Sequence, residues 1–273
     1  MVIPAYAGAL NTKNQRETVL ITGASSGIGL DLARLMAPDF DLIITARNKV
    51  KLEQIAQELQ SKDGNLVHVV PTDLERPEAP EQIYAEITRR GLRIDMLVNN
   101  AGFGACGFFT ELGLQEQLAM IQVNITALTH LTRLVLPEMQ SRKRGRILNV
   151  ASTAGFQPGP LMAVYYATKA YVISFSEAIA NELKGTGVSV SCLCPGATAT
   201  EFAARAGMEK SLLFKLGTMR SSDVAQAAYR KLVSGGKGLV IPGFINKLMV
   251  QSLRISPRKL VTAIARSLQE TGK

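Results

Sequence analysis

Tyr165 and Lys169 stand four residues apart in Tyr165-Tyr166-Ala167-Thr168-Lys169, so on a helix they share one face. A phenol beside an ammonium is an acid–base device, able to hand a proton to an alkoxide. A free tyrosine has a pKa near ~10, whereas efficient proton transfer prefers a value closer to the working pH. Lowering it by about three units corresponds to ~4 kcal/mol. An ammonium about 5 Å away, at an effective dielectric of about 20, supplies roughly 3 kcal/mol. Lys169 is therefore expected to bring Tyr165 most of the way. Tyr166 is three residues from Lys169 and within reach as well. Ser152 lies thirteen residues before Tyr165.

A second group of residues points to an anion. Val19-Leu20-Ile21 reads as a strand and runs directly into Thr22-Gly23-Ala24-Ser25-Ser26-Gly27-Ile28-Gly29. A strand, a glycine turn and a helix in succession aim backbone N–H groups and the helix dipole at a ligand. Glycine lets that backbone turn tightly and approach a pyrophosphate. The spacing is G-x-x-x-G-x-G, with Gly23, Gly27 and Gly29. The next strand ends Thr45-Ala46-Arg47-Asn48. An acidic residue near that point would bond ribose hydroxyls in NAD binders. Ala46 stands there instead, and Arg47 follows with a fork suited to a 2′-phosphate. NADP(H) is the cofactor expected.

Taken with these segments, residues 18–242 resemble the short-chain dehydrogenase/reductase family. The resemblance implies hydride transfer between a nicotinamide cofactor and a carbonyl or alcohol. It implies that Tyr165, not Tyr166, is the general acid/base, because both the Y-x-x-x-K spacing and the step from Ser152 select it. Lys169 would lower the Tyr165 pKa and bond the nicotinamide ribose. Ser152 would polarise the carbonyl and steady oxyanion charge. Asn124 matches the asparagine that kinks a long helix and holds a water beside the lysine. Thr72-Asp73-Leu74 resembles the segment whose Asp meets the adenine. Asn99-Asn100-Ala101-Gly102 is similar to the turn that supports the sheet and flanks the adenosine ribose. Pro195-Gly196-Ala197-Thr198-Ala199-Thr200 is similar to the segment covering the carboxamide, with Thr198 in place of the usual apolar residue. The cofactor set is thus Gly23, Ser25, Ser26, Gly27, Ile28, Gly29, Arg47, Asp73, Leu74, Asn100, Ala101, Gly102, Tyr165, Lys169, Pro195, Gly196, Thr198 and Thr200.

These residues need a frame, and the chain supplies one. Apolar runs at 18–22, 41–46, 66–71, 95–99, 146–151, 188–194 and 238–241 alternate with helical patterns at 27–37, 49–61, 77–90, 115–141, 163–184, 200–215 and 222–234. Such alternation predicts βαβ units: one doubly wound α/β domain of Rossmann type, with a parallel sheet of about seven strands. Runs such as Leu42-Ile43-Ile44 suit strands buried on both faces. Residues 1–17 read as a loose leader without the charged start and apolar centre of a signal peptide. Residues 243–273 read as a helical extension that packs on the domain or on a second subunit. Its mixture of apolar and basic residues also suits a membrane surface.

With 47 % hydrophobic and 19 % charged residues, the chain is expected to be globular. A net charge of +9 favours an anionic ligand, but no basic run is interleaved with aromatics, so nucleic acid is not expected. Three cysteines and two separated histidines argue against a disulfide framework and a metal site. Cys192 and Cys194 share a strand face and read as small core residues. No run of 18 apolar residues occurs, and a reduced cytoplasmic setting is expected. The expected pocket is apolar: Phe103, Cys106, Phe108, Phe156, Leu161, Met162, Phe202 and Leu213. It suits an apolar ketone, aldehyde, sterol-like or acyl carbonyl. The resemblance also implies a homodimer or homotetramer built on helices 115–141 and 163–184. An NAD-dependent alcohol dehydrogenase and a non-catalytic NADP(H)-sensing protein are the alternatives.

Overall fold

A computed structural model describes residues 16–60, 64–208, 211–215 and 217–270. Among them, seven parallel strands form one sheet in the order β3-β2-β1-β4-β5-β6-β9. These are β1 (Thr18–Thr22), β2 (Asp41–Thr45), β3 (Val67–Val69), β4 (Met96–Asn99), β5 (Gly145–Val150), β6 (Val188–Leu193) and β9 (Gly238–Val240). Two-residue strands β7 (Thr198–Ala199) and β8 (Met219–Arg220) pair separately. Helices α1 (Gly27–Met36), α2 (Lys49–Leu59), α3 (Ala79–Arg89), α4 (Leu114–Ile121), α5 (Leu128–Ser141) and α6 (Ala163–Glu182) connect the first six strands. Short α7 (Phe202–Arg205) and α8 (Leu212–Lys215) precede α9 (Ser221–Val233), and α10 (Phe244–Ser252) and α11 (Arg258–Gln269) follow the last strand.

Successive strand side chains enter opposite layers, as a pleat requires. Val19, Ile21, Leu42, Ile44, Met96 and Val98 pack with α1, α2 and α9. Leu20, Ile43, Leu97 and Ile147 pack with α3, α5 and α6. Burial on both faces explains the unbroken apolar runs. Strand order reverses at β1, which pairs β2 on one side and β4 on the other. Ligands of open α/β sheets bind at such a point, beyond the strand carboxyl ends.

The structure departs from the sequence expectation in four places. The helix expected over 115–141 is broken by a π-helical segment, Gln122–Ala127. The helix expected over 200–215 is instead the two short pieces α7 and α8. The leader expected through residue 17 is already tied down at its last two residues: Arg16 donates to the Pro38 carbonyl at 2.7 Å, and Glu17 pairs with Arg146 at 2.9 Å. Residues 1–15 lie outside the described residues. Strand β3 is three residues rather than six. The C-terminal segment is helical and buries Val250, Val261 and Ala265. Among the described residues no helix is long and apolar enough to cross a membrane.

Candidate active site

The glycine turn is built by what it must avoid. Gly23 and Gly27 have φ of +65° and +54°, a region glycine enters without strain. A Cβ on Gly27 would lie 2.9 Å from Thr200 Cγ2. A Cβ on Gly29 would lie 2.4 Å from the Gly23 oxygen, so Gly29 serves close packing of helix on turn and does not line the cleft. Thr22 locks the neighbouring loop: its hydroxyl accepts from the N–H groups of Asn100 and Ala101, both at 3.0 Å. The Asn100 amide donates back to Thr22 O at 2.9 Å and Gly23 O at 3.1 Å. Helix α1 starts at Gly27, and its N-cap Ser26 makes no side-chain capping bond. The helix N-terminus with that hydroxyl forms an anion cradle.

A cavity of about 520 Å³ runs from this cradle across the strand ends. It is lined by Gly23, Ser25, Ser26, Gly27 and Ile28 at one point, and by Arg47, Asp73 and Leu74 at the far end. Asn100, Ala101 and Gly102 follow, then Ser152, Tyr165 and Lys169, with Pro195, Gly196, Thr198 and Thr200 opposite. One cavity is lined by both the glycine turn and the Tyr165–Lys169 pair, and the glycines leave room for a pyrophosphate. These residues fit a dinucleotide. At the far end Arg47 donates to Glu75 at 2.9 Å, and Arg205 approaches the same carboxylate at 3.4 Å. Two guanidiniums thus share one acid, leaving a cationic surplus where Ala46 offers no carboxylate. Thr198 spends its hydroxyl locally, on the Gly196 carbonyl at 2.9 Å.

Tyr165 and Lys169 are held by a frame of buried polar contacts. Asn99 donates to Thr132 at 3.0 Å and to Asn149 at 2.9 Å, and Asn149 donates to Ser176 at 2.9 Å. This chain ties β4 and β5 to α6, which carries Tyr165 and Lys169. Ser152, two residues beyond β5, is the N-cap of a 3₁₀ turn; its hydroxyl accepts from Ala154 N at 3.1 Å and donates to Pro195 O at 3.3 Å. The Lys169 ammonium donates to Val150 O at 2.9 Å and lies 5.7 Å from the centre of the Tyr165 ring. Asn124 sits in the π-helical segment, a common device at functional sites. Its amide joins Phe103 N, Phe103 O and Thr168, at 3.0–3.1 Å. It does not line the cavity, so its contact with the site runs through its neighbours.

The electrostatics reverse one expectation. Burial holds the Tyr165 phenol well above its ordinary value, with the Ser152 hydroxyl acting against it. Burial also lowers Lys169 to about 8. Desolvation is the largest cause at both groups, so Tyr165 stays protonated over the neutral range. Tyr166 is pushed up to about 12, chiefly by burial, and its hydroxyl bonds the Gln269 amide. It is therefore committed to the C-terminal helix.

The pocket forecast is corrected in part. Phe103, Met162, Phe202 and Leu213 line the main cavity. Phe108 and Leu161 line a smaller adjoining cavity with Arg266, and Leu161 holds a φ of +66°. Phe156 packs instead against the cluster of Leu128, Val172, Cys192 and Cys194 on the other side of α6. Cys106 does not line the main cavity either; its N–H bonds the Ala206 carbonyl at 3.1 Å. The lining gains Met208, Phe214, Met249, Ala265 and Leu268. The last three come from α10 and α11, where apolar spacing was the one available signal. Cys192 and Cys194 are free thiols, their sulfurs 3.8 Å apart.

A family model described as short chain dehydrogenase matches residues 17–211. The chain belongs to that family. It is 35 % identical over 181 residues to a ketoacyl reductase of Nostoc sp., covering 66 % of this chain and 63 % of the relative. It is 37 % identical over 191 residues to a very-long-chain 3-oxoacyl-CoA reductase of Pyrenophora tritici-repentis, covering 68 % and 56 %. It is 35 % identical over 198 residues to 17-beta-hydroxysteroid dehydrogenase type 3 of Mus musculus, covering 69 % and 62 %. The chain thus spans less than two thirds of these relatives' length. Among solved structures, a short-chain dehydrogenase from Sphingobium yanoikuyae in complex with NADPH superposes with a TM-score of 0.79 at 33 % identity, over 89 % of this chain and 94 % of that one.

Proposed function

We propose that this chain is an NADP(H)-dependent reductase of an apolar carbonyl compound. One observation carries the reading: Ser152, Tyr165 and Lys169 line the same cleft as the glycine turn and as Arg47 and Asp73. When bound, the cofactor supplies the hydride. Ser152 turns its one hydroxyl hydrogen from Pro195 O to the carbonyl oxygen and steadies the charge that develops there. Tyr165, held protonated by burial, gives its proton to the resulting alkoxide. Lys169, anchored on Val150 O, keeps a positive charge near the phenol and would hold the ribose of a bound cofactor. Phe103, Met162, Phe202 and Phe214 exclude water and bind apolar carbon. The names of the relatives support a 3-oxoacyl chain or a steroid ketone as substrate. Oxidation of NADPH measured across a panel of such carbonyls tests the reading; a folded protein that binds NADPH and reduces none of them contradicts it.

Two further expectations belong to this site. Arg47→Asp is expected to weaken NADPH binding by at least ~10-fold while changing NADH binding far less, because a bidentate phosphate contact is lost. Titration calorimetry with both cofactors checks it. Equal wild-type affinities would favour the NAD-dependent alternative, which the Arg47–Glu75 ion pair supports. The pH profile has a definite sign. Lys169 is cationic below about 8 and loses its charge above it, while Tyr165 stays protonated. Reduction kcat/KM is therefore expected to be level at lower pH and to fall above about 8. A profile flat through pH ~9.5 contradicts that assignment.

The same reading extends to assembly and setting. Exposed Leu114, Leu118 and Ile121 form one stripe on α4, and exposed Tyr171 lies on α6. They support a homodimer or homotetramer built on those helices. Three cysteines, too few for a disulfide framework, suit a reducing, cytoplasmic setting.

A further inference from the structure

The C-terminal helices have two unlike faces. One is spent on the domain: Val250, Val261 and Ala265 are buried, and Met249 and Leu268 wall the cavity. The other, among the described residues, is exposed and apolar. Phe244 and Ile245 of α10 are 74 % and 80 % exposed, and Ile255 in the following turn is 88 % exposed. Leu248, Leu260 and Ile264 are also exposed. Six large apolar side chains within 21 residues, all facing water, exceed the scattered exposure of an ordinary surface.

The charge on this segment has one sign. Between residues 243 and 269 lie Lys247, Arg254, Arg258, Lys259 and Arg266, with no Asp or Glu. Glu270 follows and pairs with Arg266 at 3.0 Å. A second copy meeting this face isologously would set like charges against each other. Aromatic and branched apolar side chains interleaved with lysine and arginine match the boundary between acyl chains and anionic headgroups.

We propose that α10 and α11 dock this protein on an anionic lipid bilayer, with Phe244, Ile245 and Ile255 entering the interface. Lys247, Arg254, Arg258 and Lys259 meet the headgroups. Because the same two helices wall the cleft, docking sets its mouth beside the lipid. Supply of an apolar substrate from the bilayer would follow, and that consequence alone rests on the reductase reading.

Vesicle co-sedimentation tests the docking without any turnover. The protein is mixed with phosphatidylcholine vesicles, with and without phosphatidylserine, at low and high salt. Binding is expected only with phosphatidylserine and should weaken as salt rises. Each basic residue near the surface is worth about fivefold in partitioning, so Lys247→Glu with Arg258→Glu is expected to weaken binding by at least ~25-fold. Ile245→Ser with Ile255→Ser should weaken it by ~10-fold or more. These side chains are exposed, so thermal midpoint and NADPH binding should be unchanged in both variants. Absence of wild-type binding to anionic vesicles overturns the proposal. So does an apolar pair of substitutions that leaves binding intact while charge reversal abolishes it, which is the behaviour of a surface for an acidic protein. A change of oligomeric state in Ile245→Ser with Ile255→Ser, seen by analytical ultracentrifugation, assigns the face to a second copy and overturns it as well. Failure of NADPH binding in the wild type would count against the reductase reading, not against docking.

Discussion

Tyr165→Phe is expected to lower kcat by at least ~100-fold, with cofactor binding retained, because only the transferable proton is lost. The phenol is buried at the catalytic end of the cleft, and its ring packs 5.2 Å from that of Phe202. Phenylalanine fills the same space. Tyr166→Phe is the necessary companion. The two rings are neighbours, 6.1 Å apart, but the Tyr166 hydroxyl bonds Gln269 on the C-terminal helix. Its removal should change kcat far less and show itself as lost thermal stability, about 1 kcal/mol for one buried hydrogen bond. Steady-state rates at saturating NADPH with one reducible ketone rank the two. The reverse ranking would assign the chemistry to Tyr166.

Gly27→Val is expected to abolish cofactor binding. Two effects act together. The backbone at Gly27 has a φ of +54°, which a β-branched residue adopts only under strain. Its Cβ would also press on Thr200, and the branches beyond it would fill the space over the start of α1. Affinity for NADPH should fall by at least ~100-fold, since the anion cradle supplies both N–H donors and dipole. Calorimetry on the folded variant measures it. Wild-type affinity there would mean that the pyrophosphate does not sit on this turn.

How much of this was legible in the sequence follows from how local each feature is. The Tyr165–Lys169 pair and the turn at Gly23–Gly29 are set by spacing within one helix or one turn, and the structure brings both to a single cleft. The seven-stranded parallel sheet follows from apolar runs that need burial on two faces. The apolar pattern at Gln122–Ala127 continues that of the helices on either side, so only the resemblance, which implied a kink at Asn124, pointed to the π-helical segment there. Strands β7 and β8 are two residues each and exist only because they find each other across the fold. The pocket was read least well. Phe108 and Phe156 have the right chemistry and neighbours in sequence, yet the direction of each side chain is set by tertiary packing. Met249, Ala265 and Leu268 enter the cleft from a segment far along the chain, and nothing local announces that destination. The pKa of Tyr165 was misjudged for a related reason: a pairwise attraction can be estimated from spacing, whereas desolvation depends on how deeply the finished fold buries the phenol.

If this chain moves a hydride from NADPH to a carbonyl carbon, an isotope on that hydride travels with it. The wild-type protein is incubated with a reducible apolar ketone and NADPH carrying deuterium on either face of its C4 carbon, and the alcohol is examined by mass spectrometry. Deuterium is predicted on the carbinol carbon from one labelled face and not the other, with Tyr165→Phe giving at most a trace. An alcohol formed without deuterium from either face, or no alcohol from a protein that binds NADPH, would contradict the account.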